Sequence, residues 1–261
     1  MSSRAASVRF TDPHSRQTVL GLALAGCVTG GWLALHVLDL FVLPWHIALP
    51  FAPLTIALQC WLSVGLFIVA HDAMHGSLAP FRPGVNRGVG RLVLLLYAGI
   101  WYDDLVARHF AHHRAPGTEH DPDFAGDGGL AAWRWFGAFF IEYLSAGQLA
   151  RLLGAIALYV SVLHVAPQRL LLFWAVPAIL SAVQLFYFGT YLPHRREEED
   201  FGDDHRARSN HFSWTMSLLT CFHFGYHHEH HTAPSVPWWR LPAERTAPAE
   251  RAKPAGLPQP R

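Results

Sequence analysis

The chain has 261 residues, 51% of them hydrophobic and 15% charged, with a formal net charge of +1. That balance is too apolar for an ordinary soluble domain of this size and points to a membrane protein. The near-neutral charge and the lack of any Lys/Arg-rich run exclude a nucleic-acid binder.

In chain order, residues 1–17 carry Arg4, Arg9 and Arg16 ahead of a long apolar stretch. They lack the short apolar core and small-residue cleavage site of a signal peptide, so they read as an N-terminal arm that is not cleaved. Residues 18–40 are almost continuously apolar and long enough to cross a hydrocarbon core of ~30 Å. After Pro44, Pro50 and Pro53, residues 54–70 form a second predicted span that runs without a breaker into His71. Residues 92–102 are too short for a crossing and fit a buried, re-entrant or interfacial segment. Residues 133–144 are aromatic-rich but interrupted by Arg134 and Glu142, the pattern of an amphipathic helix at the membrane surface. Residues 152–166 and 170–192 form a predicted helical hairpin around Pro167, Gln168 and Arg169. From Pro242 onward the sequence is rich in Pro, Ala and Arg without apolar periodicity, which predicts a flexible tail over 242–261 and a single domain over 18–241.

The expected fold is an all-α integral membrane protein with about four transmembrane helices. Four spans put both termini on one side. Of 20 Lys and Arg residues only Arg169 falls in a loop on the other side, so the positive-inside rule places the termini in the cytoplasm. The clustered histidines emerge on that same side, as a cytoplasmic histidine-box cap.

Histidine is the compositional anomaly, with 18 residues. His71 and His75 are spaced i, i+4, while His109, His112, His113 and His227, His230, His231 repeat an i, i+3, i+4 pattern, so each set occupies one helical face. These eight imidazoles exceed what one tetrahedral zinc accepts, and two metals are the economical solution. Imidazole suits Zn, Cu, Fe and Ni alike, and the spacing leaves the metal open. His194, directly after Pro193 at the end of the last span, and His223, four residues before His227, compete for a ninth position, with His194 preferred. Asp72 and Glu229, inside the boxes, are the leading candidates to orient ligand rings; Asp103, Asp104, Asp121 and Asp123 read equally well as solvated or capping charges. His14, His36, His46, His164, His205, His211 and His228 lack the pattern and read as structural or interfacial. Cys27, Cys60 and Cys221 lack CxxC spacing and read as small apolar side chains.

HDAMHG at His71, RHFAHHRAPGTEHDPDF at Arg108 and FHFGYHHEHHTAPSVPWWRLP at Phe222 resemble the three boxes of bacterial β-carotene ketolases, within the membrane fatty-acid desaturase-like superfamily. The likeness runs over residues 61–242. It implies two nonheme irons at the cytoplasmic face of the bacterial inner membrane, O₂ as co-substrate and a ferredoxin-type electron donor. It carries His71, His75, His109, His112, His113, His227, His230 and His231 over as ligands, with His194 as the isolated ligand after a late span. The implied reaction is oxidation of C4 of a β-ionone ring by two hydroxylations and a dehydration, giving echinenone and canthaxanthin from β-carotene drawn out of the bilayer. Phe67, Trp101, Phe110, Phe124, Phe224 and Tyr226 are candidate ring contacts. Three residues between His71 and His75, where acyl desaturases typically have four, argue against fatty-acid desaturation. A carotenoid ring hydroxylase, another membrane lipid C–H oxygenase and, from a different class, a zinc-dependent membrane hydrolase using Glu229 are the competing readings.

Overall fold

The computed structural model describes residues 13–125, 131–197 and 201–246; most of the N-terminal arm and of the expected C-terminal tail lies outside them. Among the described residues the chain is helical, without strands. Helix α1 spans Pro13–Val42, ending in a π-helical turn, α2 is Trp45–Met74 and α7 is Pro167–His194; these three are long and apolar enough to cross a bilayer. A fourth candidate span is the pair α5, Ala132–Tyr143, and α6, Ala146–Val162, which meet at an 87° bend. Between α2 and α5 lie α3, Pro83–Ala98, and α4, Tyr102–Arg114. Among the described residues after α7 lie the short α-helices α8, Trp214–Cys221, α9, His227–Thr232, and α10, Leu241–Thr246, the last preceded by a 3-10 turn over Trp238–Arg240.

Helix α2 is the central pillar. Its second half is apolar on every face, which suits a helix surrounded by others, and Val64, Leu66, Ile68, Val69 and Ala70 are all buried. Helix α1 lies antiparallel to it: Trp32 Nε1 donates to Ser63 Oγ at 3.0 Å, and Gln17 Nε2 donates to the Ser77 carbonyl at 2.6 Å. The outward faces of the spans remain greasy, with Leu20, Phe51, Leu54, Leu153 and Ile179 exposed. A contiguous apolar girdle of this kind needs lipid, not water, as its solvent.

Two span boundaries differ from the sequence expectation. Helix α2 starts at Trp45 and contains Pro50 and Pro53. Both prolines lie past the first turn, so each removes one helical hydrogen bond, and the packing of this end has to offset that cost. Ala48 and Ala52 then lock this end against Leu40, Val165, Leu170 and Phe173. Similarly, Pro167, Gln168 and Arg169 do not form the hairpin turn. They open α7, with Pro167 at its first position, where the fixed φ suits a helix start. Arg169 reaches across to the carbonyls of Asp39 and Leu43, the latter at 2.6 Å, tying the α6–α7 turn to the α1–α2 turn. At the C-terminal side, residues expected to be irregular from 242 are helical to Thr246, because Leu241 is buried and Arg245 donates to the Asn210 carbonyl at 2.8 Å.

At the opposite end of the bundle, α3 folds back along α2, with Tyr97 packed on Phe67. Gly99, at φ +63°, turns the chain from α3 into α4. Arg151 Nε donates to the Gly99 carbonyl at 2.7 Å and Gln148 Nε2 to the Ala98 carbonyl at 3.0 Å, so the start of α6 clamps that corner. Ser145 caps α6 by accepting from the Gln148 N–H, and this cap begins the new helix at the bend. Helix α5 thus lies across the direction of α6, as the amphipathic pattern predicts.

The position of α4 depends on one close approach. A Cβ on Gly90 would sit 2.1 Å from the Tyr102 ring, whereas one on Gly88 would meet nothing within 4 Å. Gly90→Ala is expected to destabilise the purified protein by ~1–3 kcal/mol through overpacking. Gly88→Ala, which gains only helix propensity, should be neutral or stabilising by about 1 kcal/mol. Thermal unfolding in detergent checks the pair; equal shifts would contradict this packing.

Candidate metal centre

Four chain segments deliver imidazoles to one place. His71 ends α2 and His75 follows it, α4 carries His109, His112 and His113, α9 carries His227, His230 and His231, and His194 ends α7. These nine rings form two groups: His71, His75, His109, His113 and His230, and His112, His194, His227 and His231, each with ligand nitrogens within 4.8 Å of one another. The helical spacing explains the division. The i, i+4 pair His109/His113 on α4 meets His230, while the i, i+4 pair His227/His231 on α9 meets His112. Each trio therefore serves both groups, and the His113 ring stacks on His231 at 4.4 Å where they adjoin.

In the first group His75 Nε2 lies 2.7 Å from His109 Nε2, and His113 Nε2 lies 3.0 Å from His230 Nε2. In the second, His112 Nε2 is 3.2 Å from His231 Nε2, while His227 Nε2 is 2.9 Å from His194 and 3.1 Å from His231. Two rings reveal what these contacts require. His112 Nδ1 faces Asp121 Oδ1 and Oδ2 at 2.9 and 3.0 Å, and His194 Nδ1 faces the Arg206 carbonyl at 2.8 Å. Carboxylate and carbonyl oxygens only accept, so both Nδ1 atoms carry the proton and both Nε2 atoms of the neutral rings are lone pairs. These lone pairs aim into the group. His71, in the first group, has neither ring nitrogen paired: both its Nδ1 and its Nε2 are buried without a hydrogen-bond partner. Leaving such a group unpaired costs ~1–3 kcal/mol each. Converging lone pairs in a dry pocket are what a cation satisfies, and an all-imidazole donor set fits a pair of first-row metals.

The electrostatics favour neutral rings except at His112. Burial first, then neighbouring imidazoles, hold His109, His227, His230 and His231 well below the usual imidazole range. Burial brings His75 down to about 4. Burial acts the same way on His112, but Asp123 and Asp121 together outweigh it and raise that ring. Neutral imidazole is the form that ligates.

The acids are arranged differently from expectation. Asp72 Oδ1 stays 3.9 Å from His71 Nδ1, and Oδ2 accepts the Trp238 N–H at 3.2 Å, so Asp72 pins the end of α2 to the 237–240 turn. Glu229 turns away from the ligand nitrogens, accepting from the Ser209 hydroxyl and facing Arg245 Nε at 3.7 Å. The carboxylate that orients a ring is Asp121, itself fixed by the Gly117 N–H at 2.8 Å and the Asp123 N–H at 2.9 Å. His223 stays outside both groups, packed between Trp214 and Trp238. His36, buried in α1, stacks on Trp32 and pairs with Tyr159 Oη at 2.8 Å.

A cavity of about 510 Å³ opens beside the imidazoles. His71, His109, His112 and His227 line one end; Val160, Pro167, Leu170 and Leu171 line the other. Along α7 its wall runs from Thr190 to Leu171, roughly 30 Å at ~1.5 Å per residue. Small side chains at Ala175, Ala178, Ala182 and Gly189 hollow out this face, and Leu152 and Ile156 of α6 stand opposite. Of the six expected ring contacts, Phe67 and Phe224 line the groove. Phe110 packs on the His75 ring, Phe124 on Trp135, Trp101 is half exposed beneath Arg91 and Arg151, and Tyr226 lies beneath Arg245. Phe139 and Tyr143 of α5 and Phe186 of α7 also line the groove; the first two escaped the sequence reading because the pattern over residues 133–144 predicts only an interfacial helix.

Comparison with known proteins matches this architecture. The fatty acid desaturase family model covers residues 43–153 and 145–260. The chain is 47% identical to a β-carotene ketolase of Paracoccus sp. (strain PC1) over 87% of its length and 93% of the relative's. It is 46% identical to a β-carotene ketolase of Paracoccus sp. (strain N81106 / MBIC 01143), over 90% and 96% respectively. A zeaxanthin 4-ketolase of Chlamydomonas reinhardtii is 37% identical over 87% of this chain, which spans about half (53%) of that relative. With its three histidine sets, helical bundle and family match in agreement, the chain belongs to the fatty acid desaturase family, within its β-carotene ketolase group.

Proposed function

We propose that the protein is a carotenoid 4-ketolase that oxidises C4 of β-ionone rings, with β-carotene as parent substrate. The observation that carries this reading is the long apolar groove ending on the imidazoles. A rod-shaped hydrocarbon from the bilayer can lie along α7 with one ring beside the two histidine groups. Its relatives named as ketolases supply the choice of a carotenoid over another lipid.

His71, His75, His109, His113 and His230 would hold one nonheme iron and His112, His194, His227 and His231 the other. When bound, the two irons would supply the O₂ reduction needed to oxidise an unactivated C–H bond, with electrons from a ferredoxin-type donor. The chain's own part is positional. Asp121 and the Arg206 carbonyl fix the tautomers and directions of His112 and His194. Phe67 and Phe224 flank the ring end of the groove, and its apolar walls keep water away while the substrate is held for attack. Per ring, a first hydroxylation replaces one C4 hydrogen by hydroxyl and a second gives a geminal diol, which loses water to leave the ketone. Each hydroxylation consumes one O₂, two electrons and two protons and releases one water.

Glu229 provides no base for a zinc hydrolase, being committed to Ser209 and Arg245 away from the groove. The orientation follows the arginines. Arg169 lies at the α6–α7 end and the other described arginines cluster toward the histidine end, so that end faces the cytoplasm of a bacterial inner membrane.

Expression in a β-carotene-producing bacterium should yield echinenone and canthaxanthin, seen by chromatography and mass as rings in which one oxygen has replaced two hydrogens. Accumulation of C3 alcohols alone would identify a ring hydroxylase instead. In the same cells His112→Ala and His230→Ala should abolish ketone formation while His14→Ala retains it, and Asp121→Asn should lower it by roughly 10–100-fold. Full oxidation by either box variant at normal protein level would contradict the ligand assignment. A reporter active only in the periplasm, fused to the C-terminus, should stay silent; strong activity would reject the cytoplasmic orientation.

A further inference from the structure

The groove wall contains a carboxylate where an all-hydrocarbon substrate has no use for one. Asp123 lines the groove beside His109, His112 and Tyr143. It does not duplicate its neighbour: Asp121 is closed off and bonded to His112 Nδ1, whereas Asp123 Oδ2 stands 3.8 Å from that nitrogen, beyond hydrogen-bond reach, with 15% of its side chain open. Three contacts hold Asp123 in place. Its N–H donates to Asp121 Oδ1 at 2.9 Å, its carbonyl accepts from Trp135 Nε1 at 2.8 Å, and its Oδ1 accepts from the Tyr143 hydroxyl. Trp135 is fully buried, which makes this an anchored carboxylate rather than a loose surface acid. Two other polar groups of the groove are engaged elsewhere: Gln148 Nε2 is bound to the Ala98 carbonyl, and the Tyr97 hydroxyl pairs with Ser181.

We propose that Asp123 receives the hydroxyl of the half-oxidised ring, and that Tyr143 positions Asp123 to do so. The proposal rests on the ketolase reading and addresses what that reading leaves open, namely why oxidation continues past the alcohol. The first hydroxylation turns an apolar ring into an alcohol, whose hydroxyl would gain hydration by leaving for the membrane surface. Inside the apolar groove it needs an acceptor. Asp123 Oδ2 is an acceptor beside the imidazoles, partly open to the groove, and a hydroxyl that pairs with it there avoids the cost of lying buried and unpaired. Held there, the alcohol keeps C4 and its remaining hydrogen next to the histidine groups, so the second attack precedes release. The second oxidation itself is unchanged in balance: the remaining C4–H becomes C–OH at the expense of one O₂ and two electrons from the same donor, and the diol then loses water.

The test is a competition between β-carotene and its C4 monoalcohol, supplied together to membranes containing the iron-loaded enzyme, O₂ and a reduced ferredoxin-type donor. The relative consumption of the two does not depend on how much of a variant folds. The wild type should prefer the alcohol. In Asp123→Ala that preference should fall about fivefold, the weight of one ordinary hydrogen bond, with free alcohol accumulating at the expense of ketone. Tyr143→Phe should shift the ratio in the same direction, and it decides the matter if the first variant does not accumulate. An unchanged ratio, including a loss of both substrates in equal proportion, overturns the proposal. A wild-type enzyme that consumes neither carotenoid would instead overturn the ketolase reading.

Discussion

Nine imidazoles packed into a water-poor pocket set the terms for the rest of the molecule. Neutral rings in such a place need their Nδ1 protons accepted and their Nε2 lone pairs satisfied, and each failure costs ~1–3 kcal/mol. Asp121 and the Arg206 carbonyl meet the first demand for His112 and His194. The second calls for cations between the rings. The surrounding bundle makes sense as the frame for this arrangement: α2 and α7 bring their last turns to one level, α4 is seated by Tyr102 on Gly90, and α9 is brought against it by the chain that follows α7.

The same frame creates the groove. Helix α7 presents small residues toward α6, the bend at Ser145 turns α5 across the histidine end, and α5 contributes Phe139 and Tyr143 to the wall. A substrate lying between α6 and α7 would therefore meet hydrocarbon along most of its length and polar chemistry only at its tip. The π-helical turn over Phe186–Tyr191 falls where the groove reaches the imidazoles, and widened turns of this kind often re-aim side chains at functional sites.

Much of the site was legible in the sequence because it depends on local geometry. Spacings of i, i+3 and i+4 fix which imidazoles share a helical face whatever the fold does, and apolar runs of sufficient length must cross a membrane. The division of the rings into five and four was not legible, since it depends on how α4 and α9 cross. His223 illustrates the limit. Its spacing from His227 is correct for a shared face, but Phe222 and His223 adopt positive φ, so the chain turns between α8 and α9 and the spacing rule does not apply. Adjacency misled in the same way for Asp72 and Glu229: neighbours in sequence point to different faces, and the carboxylate that reaches His112 comes from nine residues downstream, through the turn over 115–121. Prolines 50 and 53 were read as breakers because their tolerance depends on tertiary packing at the start of α2.

On the ketolase reading, one chain builds two metal positions from imidazoles alone. Metal analysis of the purified protein, combined with X-ray absorption at the iron edge, puts this to the test. Two irons per chain, each surrounded by nitrogen donors with light oxygen ligands and no sulfur, is the result predicted. A single metal per chain, or zinc in place of iron after iron-replete expression, would contradict it.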